Sequence, residues 1–559
     1  MASGSHSQHW LHRYANNFHA WKKEHGIDHV SFTRPIGLVE AFFDKDGTHF
    51  GGRSDVHSLL DLEVRTRLGL DGIRRRILLA WANLRVQHVL LRASIWNDLR
   101  TGHRHFIVRV PPSAKAALEE ATSFTTFLED VYPDGELADF FEHGLNTGRI
   151  VPDTKSISRL FAFPLRPTKD GTFQLTLLQY AGHLALDGLT SFNWSSHFLS
   201  LLNQSDAQLL MQLETFTRPE RVRNLLPPAQ EDLYLAIPGT IARQRWFWAI
   251  LRILRHVRKP LPSAFANPLC LENRPPPSLP LPAKYSKLLD YSPSRQPPLQ
   301  TGSLLFYLSV SSSQRLLSLC RAAGASIGAG CFALVALVMM ELETQLHPHV
   351  PLSSRKPFIS SFPLNPRPFF DYAAPPDSCM LAFSEGIVLP WLPVDLELEG
   401  RFRLLARTAH RELKTYQKRA RDPVAGLDPH SPLRLIASGY LADVERELGV
   451  DVQGEYPTAE LMGGATCALS SVGSVKEWLS EGMFPLDESD GKDFVADFRS
   501  VRHGVRAKMN EFLVGCASFG DRKLRFAVSY DKTAMDEEMV KKWQHLMETI
   551  LEPPGQSRL

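Results

Sequence analysis

Six consecutive residues, His183-Leu184-Ala185-Leu186-Asp187-Gly188, place a titratable ring, a carboxylate and a glycine within one short stretch. An imidazole titrates near neutrality, so its neutral form can take a proton from a hydroxyl that it meets in a cleft. The flanking residues predict that setting. Phe173, Leu175 and Leu177 alternate toward a strand end at Tyr180, and Leu189, Phe192, Phe198, Leu199 and Leu202 follow helical spacing from Gly188. His183 is therefore expected in a tight strand-to-helix connection, as a general base. Asp187 is expected to lock that loop through an ion pair, and Gly188 to permit close backbone approach at the helix start. An isolated histidine is usually a surface or structural residue; the motif and its strand-to-helix context set this one apart.

The rest of the chain must position these groups. At 559 residues, 43% hydrophobic and 22% charged, it is long enough for more than one core, and two large domains are expected. Sixty-three basic residues stand against 60 acidic ones, a balance that argues against nucleic acid as a partner. Cys270, Cys320, Cys331, Cys379, Cys467 and Cys516 show neither a Cys-x-x-Cys pair nor zinc spacing, so reduced, mostly buried thiols and no metal site are expected. Met1 to Gly26 carries histidines and charges without an apolar signal core, which leads us to expect an intracellular, cytoplasmic protein. The apolar run Ala329 to Met340 is shorter than the roughly 18 residues of a membrane span and reads as a buried helix.

Prolines crowd the stretch from Pro260 to Pro298 and exclude long regular elements, marking a crossing between domains. The boundaries that follow are 1–225 for a first domain with the His183 motif, 226–300 for the crossing and 301–559 for a second domain. Within the crossing, residues 245–255 form a basic amphipathic pattern suited to a membrane surface, although packing across the domain interface is the simpler expectation. Helical periodicity is read at 72–85, 314–323, 326–343, 398–418 and 535–550. Strands are read at 106–110, 303–310, 359–364 and 467–471, with a hairpin of 511–518 and 523–530 around Gly520-Asp521. Both halves show the same order of elements, which suggests two similar α/β layers facing each other.

The His-x-x-x-Asp-Gly run resembles the motif shared by chloramphenicol acetyltransferase, carnitine acyltransferases, plant-type acyltransferases and peptide-synthetase condensation domains. Gln87-His88-Val89-Leu90-Leu91-Arg92 resembles the Arg-His-x-x-Leu-Arg segment of condensation domains, with Gln87 in place of the first arginine. Asn365-Pro366-Arg367-Pro368 resembles that group's Asn-x-Arg-Pro turn, and Ser470-Ser471-Val472-Gly473 its Ser-Asn-x-Gly strand end. The segments 16–22, 34–40, 74–84 and 241–250 look like the fungal trichothecene 15-O-acetyltransferases, a resemblance that runs from about Trp10 to Ile550. The Asp-Phe-Gly-Trp-Gly signature of the plant-type branch is missing.

The resemblance implies two chloramphenicol-acetyltransferase-like α/β domains with an active-site tunnel between them. It implies acetyl transfer from acetyl-CoA, as co-substrate, to a terpenoid alcohol, here the 15-hydroxyl of a trichothecene, with no permanently bound cofactor. His183 would act as base, Arg92 as the partner of Asp187, and Ser470, Ser471 and the Gly188 amide as oxyanion donors. Phe192 and Trp194 would border the acceptor channel, with core packing as the competing reading for each. A carrier-bound thioester with another acceptor is the alternative chemistry. Gly324-Ala325-Ser326-Ile327-Gly328 fits the Gly-x-Ser-x-Gly pattern of a hydrolase nucleophile, but helical spacing precedes it where a strand is required. Gly324 is instead expected to end one helix and Ser326 to cap the next.

Overall fold

The computed structural model describes residues 10–552, apart from 26–29, 50, 100, 152–153, 169–170, 258–260, 274–280, 296–298, 371, 418–431, 449–464, 489–490 and 521. Asp521 of the expected hairpin turn, Lys418, the start of the N-terminal stretch and part of the proline-dense crossing lie outside these residues.

Three main sheets organise the chain. The first runs Phe494–Val505, Val56–Thr66, Phe173–Ala181, Ser158–Ala162, Thr125–Phe127 in spatial order. Its long apolar strands, Leu175, Leu177 and Leu178 among them, are buried, and the helices Leu70–Gln87 and Gly188–Leu202 belong to the same core. The second runs Thr301–Tyr307, Leu524–Asp531, Phe512–Ser518, Cys467–Ser474, Phe358–Ser361, Ile387–Leu389. A smaller sheet joins Lys22–His25, Val30–Pro35, Arg104–Arg109 and Ser94–Asn97.

Phe494–Val505 comes from the second half of the sequence yet pairs antiparallel with Val56–Thr66, from Phe494 opposite Thr66 to Val505 opposite Val56, with a register shift between Phe498 and Ser500. The first core accordingly includes Phe494, Ala496, Phe498 and Val501. Local periodicity carries no sign of this long-range pairing.

Ile327–Leu346 is long and apolar enough to cross a membrane, and it packs as the central helix of the second core, with every residue from Ala329 to Met340 buried. Gly324, at φ +64°, ends the helix Val310–Ala323 in the left-handed conformation, and the Ser326 hydroxyl accepts from the Ala329 amide at 3.3 Å. Ser326 is thus a helix cap, not a nucleophile on a strand-to-helix elbow.

The helix Ile241–Val257 buries Trp248 and Leu251 in a separate aromatic cluster with Trp10, Tyr14 and Tyr440. Trp248 meets Trp10 and Tyr14 edge-on, at centroid distances of 5.1 Å in both cases. Five of the six cysteines are buried and Cys270 is exposed; all six are free thiols.

Candidate active site

His183 lies just beyond the strand Phe173–Ala181, in a turn closed by bonds from the Ala185 amide to the Gly182 carbonyl, 3.0 Å, and from the Leu186 amide to the His183 carbonyl, 3.3 Å. Leu184, Ala185 and Leu186 are all buried, which anchors the turn and leaves the half-buried His183 ring as its projecting group. Phe43, on the helix Leu38–His49, stacks on that ring with centroids 3.7 Å apart and planes 8° from parallel. Cys379 Sγ lies 3.9 Å from Nδ1. The ring's own main-chain carbonyl favours its charged form.

Burial holds the His183 pKa below its ordinary value, outweighing its own carbonyl and the Asp187 and Asp55 carboxylates, which favour the charged ring; Lys508 opposes the charge. The side chain is therefore neutral, and able to accept a proton, around pH 7.

Asp187 caps the helix Gly188–Leu202. Oδ1 accepts from the Thr190 amide at 2.9 Å, while Oδ2 accepts from Arg367 Nη2 at 2.7 Å and from the Met380 amide at 3.0 Å. Both oxygens are occupied and both ion-pair partners are buried, with side chains 2% and 5% exposed. The partner is Arg367 of the Asn365-Pro366-Arg367-Pro368 turn, not Arg92. Arg92 lies instead on the helix side of the first core, where Glu120, which also pairs with Arg85, takes its charge. An Asn-x-Arg-Pro turn holding a buried arginine was the available sequence signal, but nothing local says which carboxylate it seeks.

The segment Pro376–Met380 lies along the start of the same helix and bonds to it repeatedly. Asn193 donates to the Pro376 carbonyl at 2.8 Å, and Thr190 Oγ1 and Arg367 both donate to the Ser378 carbonyl, at 2.8 and 2.7 Å. Trp194 Nε1 and His88 Nδ1 each donate to Asp377 Oδ1 at 2.6 Å, and His88 Nε2 is 2.8 Å from His197 Nδ1. Trp194 is fully buried in this network, and Phe192, buried too, packs edge-on against His503 and Phe519.

On the strand Cys467–Ser474, Ser471 pairs in register with Cys516 and shares its face, toward the helix Ile327–Leu346. A Cβ placed on Gly328 of that helix would sit 3.3 Å from Ser471 Oγ. Ser470 points to the opposite face by strand alternation, which leaves it as the serine of the pair directed away from that helix. Gly188 has ample space: a Cβ there would meet only Val472, at 3.9 Å. The close approach expected of Gly188 occurs at Gly182 instead, where a Cβ would fall 2.7 Å from Leu184 and 3.2 Å from Arg149.

Glu231, from the chain's crossing segment, completes the support of Phe43. Its Oε1 accepts from the Leu38 amide at 3.0 Å, at the start of the Phe43 helix, beside Glu40, which forms a buried pair with Arg34. Burial, followed by the neighbouring Glu40 charge, pushes Glu231 up to about 8. Among the described residues, no group of three or more His, Cys, Asp or Glu side chains gathers at metal-binding distance.

No protein-family model matches the sequence, and no curated protein sequence matches it. The backbone superposes on a trichothecene 15-O-acetyltransferase from Fusarium sporotrichioides with a TM-score of 0.67, covering 96% of this chain and 97% of that one at 13% identity. The fold is the two-domain chloramphenicol-acetyltransferase-like fold. It is also similar to the condensation domain of the monacolin K polyketide synthase MokA, with a TM-score of 0.50, 12% identity and coverage of 93% and 96%. A four-domain nonribosomal peptide synthetase matches over 95% of this chain and 33% of its own length, with a TM-score of 0.51 and 12% identity. At these identities the likeness is one of fold.

Proposed function

We propose that the protein is an O-acetyltransferase that moves an acetyl group from acetyl-CoA to a hydroxyl of a terpenoid, the 15-hydroxyl of a trichothecene being the leading acceptor. The observation that carries this reading is the placement of His183 in the strand-to-helix turn, its ring stacked on Phe43 and kept neutral by burial. The imidazole takes the hydroxyl proton as the oxygen attacks the thioester carbonyl, and the tetrahedral oxyanion collapses with loss of the CoA thiolate. The same ring then protonates the sulfur, so no covalent enzyme intermediate is required. Ser470 and the Gly188 amide are the oxyanion donors in this proposal; loss of one such donor costs about 3 kcal/mol in other enzymes. Asp187 takes no proton, because Arg367 and two amides occupy it.

The acceptor assignment draws on the short sequence segments and on the activity of the Fusarium sporotrichioides protein, with which this chain shares its fold. The test follows free thiol while the pure protein meets acetyl-CoA and a trichothecene with its 15-hydroxyl free or blocked. Transfer to the free compound alone supports the proposal. Equal transfer to both moves the target to another hydroxyl, and transfer only from a carrier-bound thioester to another acceptor replaces it with condensation chemistry.

A further inference from the structure

The helix Ile241–Val257 has two apolar faces, and among the described residues only one is covered. Trp248 and Leu251 are buried, whereas Trp246 is 65%, Ile253 52% and Val257 66% exposed. Together with Ala242 and the half-buried Ile250, the exposed residues recur at 242, 246, 250, 253 and 257. Steps of four, four, three and four keep them on one stripe of a 3.6-residue helix, and the exposed Leu254 widens its edge. Scattered apolar side chains on a surface are ordinary; an unbroken stripe is the mark of a binding face.

Charge selects the occupant. Residues 241–257 include Arg243, Arg245, Arg252 and Arg255 and no aspartate or glutamate. Arg252 and Arg255 are turned to Glu445, at 3.8 and 2.8 Å. Arg243 and Arg245 are exposed, and by helical angle they flank the stripe on either side. Pairing two copies through this stripe by a two-fold axis would set these arginines near one another, which disfavours a self-interface. We propose that this helix docks the protein on an anionic lipid surface, with Trp246, Ile253 and Val257 entering the headgroup boundary and Arg243 and Arg245 against lipid phosphates.

The experiment is co-sedimentation of the full-length protein with vesicles of phosphatidylcholine alone or mixed with phosphatidylserine, with light scattering for oligomeric state. We expect binding to the mixed vesicles, weakened by salt. Arg243→Gln and Arg245→Gln should each lower it about five-fold. The triple variant Trp246→Ser, Ile253→Ser, Val257→Ser should abolish it while keeping the wild-type circular dichroism spectrum, because all three side chains face solvent. Absence of binding to either vesicle, retention of binding by the triple variant, or a dimer that this variant dissolves would each overturn the proposal.

Discussion

Arg367 Nη2 donates to Asp187 Oδ2 at 2.7 Å, joining the Asn365-Pro366-Arg367-Pro368 turn of the second half to the motif helix of the first, four residues from His183. Both side chains are buried, so the Coulombic attraction mostly repays desolvation, and the pair's value lies in fixing position. Removing one partner is another matter. Arg367→Ala should lower stability by about 3–5 kcal/mol, because it strands a buried carboxylate. Combining it with Asp187→Asn should lose less than the sum of the single effects. Denaturant titration of the four proteins checks this. Arg92→Ala, which leaves Glu120 paired to Arg85, should lose about 1 kcal/mol and spare turnover.

His183→Ala should keep the fold and lower turnover by about two to four orders of magnitude. In the wild type, protonation of His183 removes the base, so kcat/KM should fall on the acid side. Because burial lowers the ring's pKa, that fall must lie below the ordinary histidine value of 6.5, with a plateau near pH 7. An acid limb centred above pH 7 would assign the base elsewhere.

The two glycines flanking the turn should behave oppositely. Gly188→Ala meets only Val472 at contact distance and should be neutral or raise stability by up to about 1 kcal/mol. Gly182→Ala drives a methyl into Leu184 and Arg149 and should lose about 1–3 kcal/mol. If reactants use the open space at Gly188, its alanine variant raises KM without losing thermal stability, and paired melting and kinetic measurements read out both effects.

Glu231 gives the fold a pH dependence of known sign. Its folded pKa is raised from 4.5 to about 8, so the folded state keeps a proton that the unfolded chain releases. Its contribution is complete below pH 4.5, declines as pH rises through that window and levels out above about 8. Glu231→Gln imitates the protonated form and can still accept from the Leu38 amide. The difference in melting temperature between variant and wild type should therefore grow in the variant's favour from pH 5 to pH 8. A constant difference would show that Glu231 is ionised in the fold throughout.

The strand, turn and helix around His183 were legible because they are local: period two before the motif and period 3.6 after it. The Ser326 cap and Gly324 stop were legible for the same reason. Ion-pair partners were not. Arg92 and Arg367 are both buried arginines near apolar runs, and only three-dimensional packing sends one to Glu120 and the other to Asp187. Phe43 and Cys379, which meet the His183 ring from distant parts of the chain, leave no mark in the spacing around it. Ser470 and Ser471 look alike in sequence, and strand alternation in the folded sheet separates them.

The strand Phe494–Val505 completes the first sheet against Val56–Thr66. A ribosome must therefore deliver residue 505 before that edge is covered. Until then the growing chain presents an open, apolar strand edge of the kind that recruits chaperones or neighbouring chains. Expressed alone, residues 1–225 should aggregate or need their missing strand supplied in trans, and the two halves of the mature protein are fastened to each other by main-chain bonds.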